Sequence, residues 1–432
     1  MEQGFSHSFA QKIIKLTKNT RENMMKTSHK TLNNNTLYLS LSLALGTLGF
    51  CHTVLADDIT TALTTGKASA DFNLRYENVS QDNALKDASA LTLRSRLAYT
   101  TGQVSGWSAM MEVEDTRIVM GLGDYSVPQT GYNSGIYSVI ADPEHTELDQ
   151  GYVQYSSDTF TAKIGRQVIA WDGQRFIGHV GWRQDRQTFD GVSFKYNPSK
   201  DLTLNYAYLT QRNRIFAEVL DQDSKDHLLN ASYKTALGTV TAYGYLLELD
   251  NSTDNALDTY GFSFVGSSMA GETKLLYALE YASQSSESAA ADFDADYMLI
   301  EAGAVFSSIT AKLGYEVLGS DDGAYGFQTP LATLHKFNGW ADIFLTTPAQ
   351  GLVDTYVSLS GKLAGGAWTA MYHDFTADEN SATVDDLGTE LDLSYVRSYG
   401  ANYSVGIKYS AYSGDSGRAD TDKLWLWVGA KF

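Results

Sequence analysis

Along residues 71–432 apolar and polar side chains alternate in run after run. A period of two restricts such a chain to strands with one face in an apolar medium and the other in a polar one. In 71–77, Phe72, Leu74 and Tyr76 share one face while Asn73, Arg75 and Glu77 share the other. In the next run Leu91, Leu93, Leu97 and Tyr99 oppose Thr92, Arg94 and Arg96. The same arrangement returns at Leu202, Leu204, Tyr206 and Tyr208, at Leu275, Tyr277, Leu279 and Tyr281, and at Tyr403, Val405, Ile407 and Tyr409. No apolar stretch after residue 56 is long enough for a spanning helix, which needs roughly 20 residues. A soluble β-sandwich would alternate as well, so pattern alone leaves two all-β architectures.

Connection lengths separate them. Eighteen candidate strands are joined by short connections near 101–105, 156–159, 197–201, 236–238, 266–272, 306–309, 362–366 and 397–400. Between these lie longer ones near 80–89, 117–147, 168–187, 211–226, 250–258, 283–294, 318–352, 376–386 and 412–422. Strict alternation of short turns and long loops, with an even strand number, is the plan of a transmembrane barrel. Backbone groups facing lipid must all be paired, which requires a closed sheet. The expected fold is therefore all-β: a single antiparallel transmembrane β-barrel of about 18 strands, with short periplasmic turns and long extracellular loops. A bulge is expected around 189–192. On the last strand Leu424, Leu426, Val428 and Ala430 share parity with Phe432, a terminal aromatic resembling the signal read by the outer-membrane assembly machinery. That parity sends Trp425 and Trp427 inward unless it flips locally.

Residues 1–56 read as a leader with a cleavable signal peptide: a basic stretch at 24–30, an apolar run at 37–50 and a small-residue site before Asp57. The barrel domain is then 57–432, and the outer membrane of a Gram-negative cell is its expected place. Removing the leader removes Cys51, the only cysteine, and with it disulfide and thiolate chemistry. Taking its six Lys or Arg and two Glu from totals of 32 and 51 leaves 26 basic and 49 acidic residues, a net charge of −23. Such a surface excludes nucleic acid as a general partner and suits outer-membrane lipid and lipopolysaccharide bridged by divalent ions.

Barrels of 16 to 18 strands generally enclose an aqueous channel, so the inward residues bear on function. Ten of the twelve arginines of the mature chain precede Ile215. By parity Arg75, Arg94, Arg96, Lys163 and Lys195 face the lumen, and Arg166, Arg175, Arg183, Arg186, Arg212 and Arg214 gather at strand ends or in adjoining loops. Arginine keeps its charge and offers a planar fork to carboxylates, so these residues form either a cationic track for anions or a neutral network with inward acids such as Glu77, Glu112, Glu114 and Asp190. Five histidines, His145, His179, His227, His335 and His373, lack metal-ligand spacing, and no cofactor or metal is expected. A hydrolase would need a base beside an orienting acid; His373 and Asp374 are adjacent, and adjacent strand residues point to opposite faces. No catalytic residue is assigned.

Two segments carry a family resemblance: KIGRQVIAWDGQRFIGHVGWRQDRQTFDGVSFKY at 163–196 and TPLATLHKFNGWADIFLTTPAQGLVDTYVS at 329–358. They resemble the alginate-export family of outer-membrane proteins, whose members are eighteen-stranded barrels. The resemblance implies that Arg166, Gln167, Asp172, Arg175, Trp182, Arg186 and Asp190 belong to a strand-loop-strand unit folded against the lumen. It likewise implies that His335, Phe337, Asn338, Gly339, Trp340 and Asp342 sit in a long inward loop that narrows the pore. The alginate exporter has an extended periplasmic segment near its last strands, whereas the last turn here is 397–400. The expected function is a porin-like channel, monomeric, that passes small anionic or oligosaccharide solutes by diffusion. A dedicated exporter of alginate or another acidic polysaccharide, and an adhesin or receptor, are the alternatives.

Overall fold

The structure is a computed structural model that describes residues 56–432 apart from Asp254. The expected leader, up to residue 55, lies outside the described residues. A nine-residue helix, α1 (Ala56–Thr64), precedes the first strand. The strands are β1 (Lys67–Gln81), β2 (Ala88–Thr100), β3 (Trp107–Asp124), β4 (His145–Ser156), β5 (Phe160–Gln167) and β6 (Thr188–Tyr196). Next come β7 (Leu202–Asn213), β8 (Gln222–Lys234), β9 (Gly238–Glu248), β10 (Ala256–Ala270), β11 (Thr273–Glu287) and β12 (Asp292–Phe306). The wall is completed by β13 (Ile309–Leu318), β14 (Leu352–Leu363), β15 (Gly366–Thr376), β16 (Asp386–Tyr399), β17 (Tyr403–Gly414) and β18 (Thr421–Lys431).

Each strand pairs antiparallel with its sequence neighbours, and β1 pairs with β18 from Asp71 opposite Lys431 to Gln81 opposite Thr421, closing an 18-stranded sheet. Closure leaves no strand edge, as a lipid-facing wall demands. Within β2 every second residue from Ala88 to Ala98 is buried inward, Thr92, Arg94 and Arg96 among them, and Leu91, Leu93, Leu97 and Tyr99 face out. Large apolar side chains such as Leu97, Ile164, Phe262 and Leu313 stand more than half exposed on the outer wall, where lipid rather than water covers them. Trp425 and Trp427 do point inward.

Strand bounds follow the alternation closely, with three differences, one being the expected 283–294 loop, which shrinks to 288–291 between β11 and β12. The third strand runs on to Asp124, and β10 and β11 continue to Ala270 and from Thr273 through the expected connection at 266–272. Gly266, Ser267 and Ser268 lack strand-favouring side chains, but backbone ladders do not require them.

The expected bulge is present as a register shift between Asp190 and Gly191. Gly191 (φ 157°) faces Gly165 (φ 122°) across β5–β6, directly below the 168–187 loop. A Cβ on Gly165 would lie 2.2 Å from the Gly151 carbonyl oxygen, and one on Gly191 would lie 2.1 Å from that of Tyr208. Only glycine lets four strands approach this closely, and the approach aims the loop inward. Replacing Gly191 with Ala is expected to cost about 1–3 kcal/mol through overpacking against backbone. Unfolding in denaturant, together with faster proteolysis within 168–187 than in the parent, checks it.

Candidate functional site

Two of the nine outer connections dominate the interior: loop 3 (168–187) and loop 7 (319–351). Most of their apolar residues do not hang in solvent. Ile169, Phe176, Ile177, Phe327, Leu331, Ala341 and Phe344 are buried in one cluster with inward wall residues including Leu209, Tyr243, Tyr245, Tyr297 and Phe375. This is a packed core inside the barrel, and it narrows the lumen at that depth. Trp182 of loop 3 stacks on His335 of loop 7 at 4.7 Å with planes 4° apart, and the inward Trp425 and Trp427 each meet Trp182 edge-on at 5.7 Å. An inward tryptophan pair is thus the wall's contribution to a four-ring cluster.

Charges tie the loops to the wall. Arg183 places Nη1 3.0 Å from both oxygens of Glu77 on β1 and Nη2 2.9 Å from Asp342 of loop 7. Asp342 accepts a second bond from His335 Nδ1 at 2.7 Å and lies 3.4 Å from Lys423 on β18. Lys408 on β17 approaches His335 Nε2 at 2.9 Å, with its ammonium 3.8 Å from the Trp340 ring centre and 4.2 Å from that of Trp182. Arg175 binds Glu316 at 2.8 Å, Thr329 at 3.2 Å and Asn338 at 3.1 Å, and lies 4.8 Å from the Phe337 ring. Asn338 (φ 54°) and Gly339 (φ 83°) turn the backbone so that Trp340 and Ala341 donate their amides to Asp392 and Glu390. A Cβ on Gly339 would strike the Glu390 carboxylate at 2.3 Å.

The electrostatics of this clasp follow from burial opposed by neighbours. Burial alone would lower the Arg183 pKa, yet Glu77, Asp142 and Asp342 outweigh it and raise it. Burial would raise Asp342, but His335, Lys423 and Arg183 hold it well below the usual carboxylate range. His335 is pushed down from 6.5 to about 3 by burial, aided by Lys408 and Arg183, and is neutral at ordinary pH.

The remaining expected residues also have defined places. Arg75 pairs with Asp142 and lies 5.1 Å from the Trp182 ring; Arg94 meets Asp71 at 2.7 Å. Arg96 pairs with Glu114 and donates to the Gln184 carbonyl at 3.1 Å, while Arg186 grips Asp149 at 3.0 Å as well as Glu112. Arg212 forks onto Asp226 at 2.8 and 2.7 Å, and Asp172 accepts from Asn230 at 2.7 Å. Two placements correct the expectation. Arg166 and Asp190 pair with each other at 2.8 Å, but they share strand parity with the exposed Ile164 and Phe194 and so belong to the outer wall; the β5–β6 ladder runs unshifted through both, and the bulge's extra residue is Thr210 on β7. Seven inward arginines do not form a free cationic track, since Arg75, Arg94, Arg96, Arg175, Arg183, Arg186 and Arg212 each have a carboxylate partner; Arg214 instead donates to Gln187 and to the Pro330 carbonyl of loop 7 at 3.0 Å, with no ion pair among the described residues. Uncompensated guanidiniums at such burial would be far costlier than paired ones.

Lys163 and Lys195 differ. Among the described residues neither has a carboxylate partner in an ion pair; Lys163 rests 4.4 Å from the Tyr152 ring, and both line a cleft of about 200 Å³ with Gln167, Trp171, Ser193 and Asn205. Lys408 and Lys423 escaped notice in the sequence, although their parity opposite Ile407 and Tyr409 and opposite Leu424 marks them as inward. His373 faces Asp354 at 2.9 Å, while Asp374 points outward, so the adjacent pair is split as expected.

The family model described as Alginate export matches residues 60–318, well over half of the chain. The chain belongs to the alginate-export family. The matched region contains the first resembling segment and loop 3, and ends before the second. No curated protein matches the sequence as a relative. Among solved structures, OccAB4 of Acinetobacter baumannii is similar at TM-score 0.68 and 14% identity, covering 86% of this chain and 99% of its own. OccK9 (OpdG) of Pseudomonas aeruginosa gives the same four values. OpdK of Pseudomonas aeruginosa, solved with vanillate, gives 0.64 and 14% over 85% and 98%. This alginate-export family member is an outer-membrane protein with a porin-like channel architecture.

Two outcomes follow for the clasp. Arg183→Ala removes the cation that Glu77 and Asp342 share, leaving Glu77 to Arg75 at 3.9 Å and Asp342 to Lys423 at 3.4 Å, and is expected to cost about 3 kcal/mol, read as protease nicking in loops 3 and 7 and a rise in single-channel conductance. Because His335 titrates near 3 in place and 6.5 when released, released loop binds more protons in that window, so the clasp weakens as pH falls from 6.5. By pH 4 about 3 kcal/mol is lost. His335→Gln, which keeps a donor and an acceptor, should flatten the pH dependence of nicking.

Proposed function

We propose that this channel passes small anionic solutes, carboxylates of single-sugar or short-oligosaccharide size, by diffusion from one face of the outer membrane to the other. The observation that carries the reading is the pair Lys163 and Lys195 in the 200 Å³ cleft below loop 3. Two ammonium groups attract a carboxylate, while the Tyr152 and Trp171 rings and the Gln167 and Asn205 amides suit a ring bearing hydroxyls. With seven inward arginines paired and Arg214 held by Gln187 and the loop 7 backbone, these lysines are the cations that the cleft offers to solute. Vanillate, with which OpdK was solved, is an aromatic carboxylate of the same class. Residues 1–56 act in this reading as a leader removed on export, and Phe432 as the assembly signal.

The family description favours a second reading, export of an acidic polysaccharide. A polyuronate carries the same carboxylates but needs a continuous bore, and loops 3 and 7 would have to move to admit it. The test is a planar bilayer carrying residues 57–432, with reversal potentials in a salt gradient. The expected result is open, anion-preferring channels blocked by a monomeric uronate. Lys163→Gln with Lys195→Gln should lower the anion preference at near-normal conductance. Folded protein without conductance steps, or binding without conductance as an adhesin would show, rejects the channel reading. Block by long polyuronates but not by the monomer favours the exporter.

A further inference from the structure

Where β4 starts beside the middle of β3, Glu114 and His145 point inward and Asp185 of loop 3 comes down between them. One ligand atom from each lies within 4.8 Å of the others, and all three side chains are buried. His145 Nε2 is 3.1 Å from Glu114 Oε1 and 4.0 Å from Asp185 Oδ2. His145 Nδ1 is 3.1 Å from the Pro143 carbonyl oxygen, which can only accept, so Nδ1 carries a proton, and Nε2 faces two carboxylates, open either to a second proton donated to Glu114 or to a metal ion. Two buried carboxylates at this nitrogen require a positive charge there, supplied by a second ring proton or by a metal ion. Asp185 Oδ1 is fully buried and has no hydrogen-bond partner; Oδ2 already accepts from the Ala217 amide at 3.0 Å. Glu114 keeps Oε1 for this site because Arg96 holds Oε2.

Local charge points the same way. Glu112, Glu114, Glu147, Asp149 and Asp185 crowd this part of the lumen, and the guanidiniums paired into it are those of Arg96 and Arg186. Glu147 stands opposite Glu114 in the strand register, within reach as a further oxygen. One imidazole nitrogen with two or three carboxylate oxygens is a donor set for a borderline divalent ion. At zinc bond lengths tetrahedral ligand atoms sit about 3.4 Å apart, so His145 and Asp185 need to close by only about half an ångström.

We propose that Glu114, His145 and Asp185 form a divalent transition-metal site of the zinc class that staples loop 3 to the β3–β4 wall from inside the barrel. The backbone bond at His145 Nδ1 is the orienting contact that ligating histidines use. The ligands come from three separate elements, which is why no spacing in the sequence announces them. The site is independent of the solute the channel carries.

The experiment uses the full barrel, refolded in detergent, stripped with a chelator and dialysed against zinc chloride with excess magnesium to saturate outer-loop carboxylates. The expected result is one zinc retained per chain, with His145→Gln and Asp185→Asn each weakening binding at least about 100-fold, as loss of a direct ligand should exceed the 10–100-fold effect of an outer-shell partner. X-ray absorption on the zinc-loaded parent needs no variant: one imidazole nitrogen and carboxylate oxygens at about 2.0–2.2 Å are expected. An all-oxygen spectrum, no retained zinc, or binding unchanged in folded His145→Gln overturns the proposal and leaves a doubly protonated imidazole as the cation.

Discussion

Lipid cannot hydrogen-bond, and nearly everything else in this protein follows from that constraint. A wall in contact with it must pair every amide and carbonyl internally, so the sheet closes where β1 meets β18. Closure at 18 strands encloses a wide lumen. A strand that separates lipid from that lumen must alternate, with Leu93 and Leu97 outside and Arg94 and Arg96 inside. The long outer connections then have an interior to fill, and loops 3 and 7 fill it.

What enters the lumen is governed by the cost of burying charge. An arginine removed from water is tolerated when a carboxylate meets it with good geometry. Arg183 satisfies this by bridging a wall residue, Glu77, and a residue of the other loop, Asp342, so that one guanidinium holds three parts of the molecule. His335 serves the same clasp as a neutral spacer, donating to Asp342 and receiving Lys408, with Trp182 stacked on its face. Because wall, loop 3 and loop 7 share these partners, the constriction responds as a unit. Proton or cation binding at one point bears on all of it.

Charge spent on structure is unavailable for steering solute. The arginines are numerous, yet their pairing leaves the lumen far less cationic than a tally of positive residues suggests, and the unpaired Lys163 and Lys195 are correspondingly more telling. Family membership and structural similarity agree on the barrel and say less about cargo, since similarity at 14% identity reaches the backbone rather than the side chains at the constriction.

The sequence by itself determined the barrel, its eighteen strands, the long loops near 168–187 and 318–352 and the inward placement of Arg75, Arg94 and Arg96, because alternation is local and each strand meets the same two solvents. It also placed the bulge near Asp190, while Arg166 and Asp190 stand on the outer wall by plain strand parity with Ile164 and Phe194. Only the tertiary structure decided which charges are partners. Arg183 lies 106 residues from Glu77 and 159 from Asp342, and Asp185 reaches Glu114 and His145 from another element altogether. Such meetings depend on the register of a closed sheet and on how two loops share one lumen, and no periodicity along the chain encodes either.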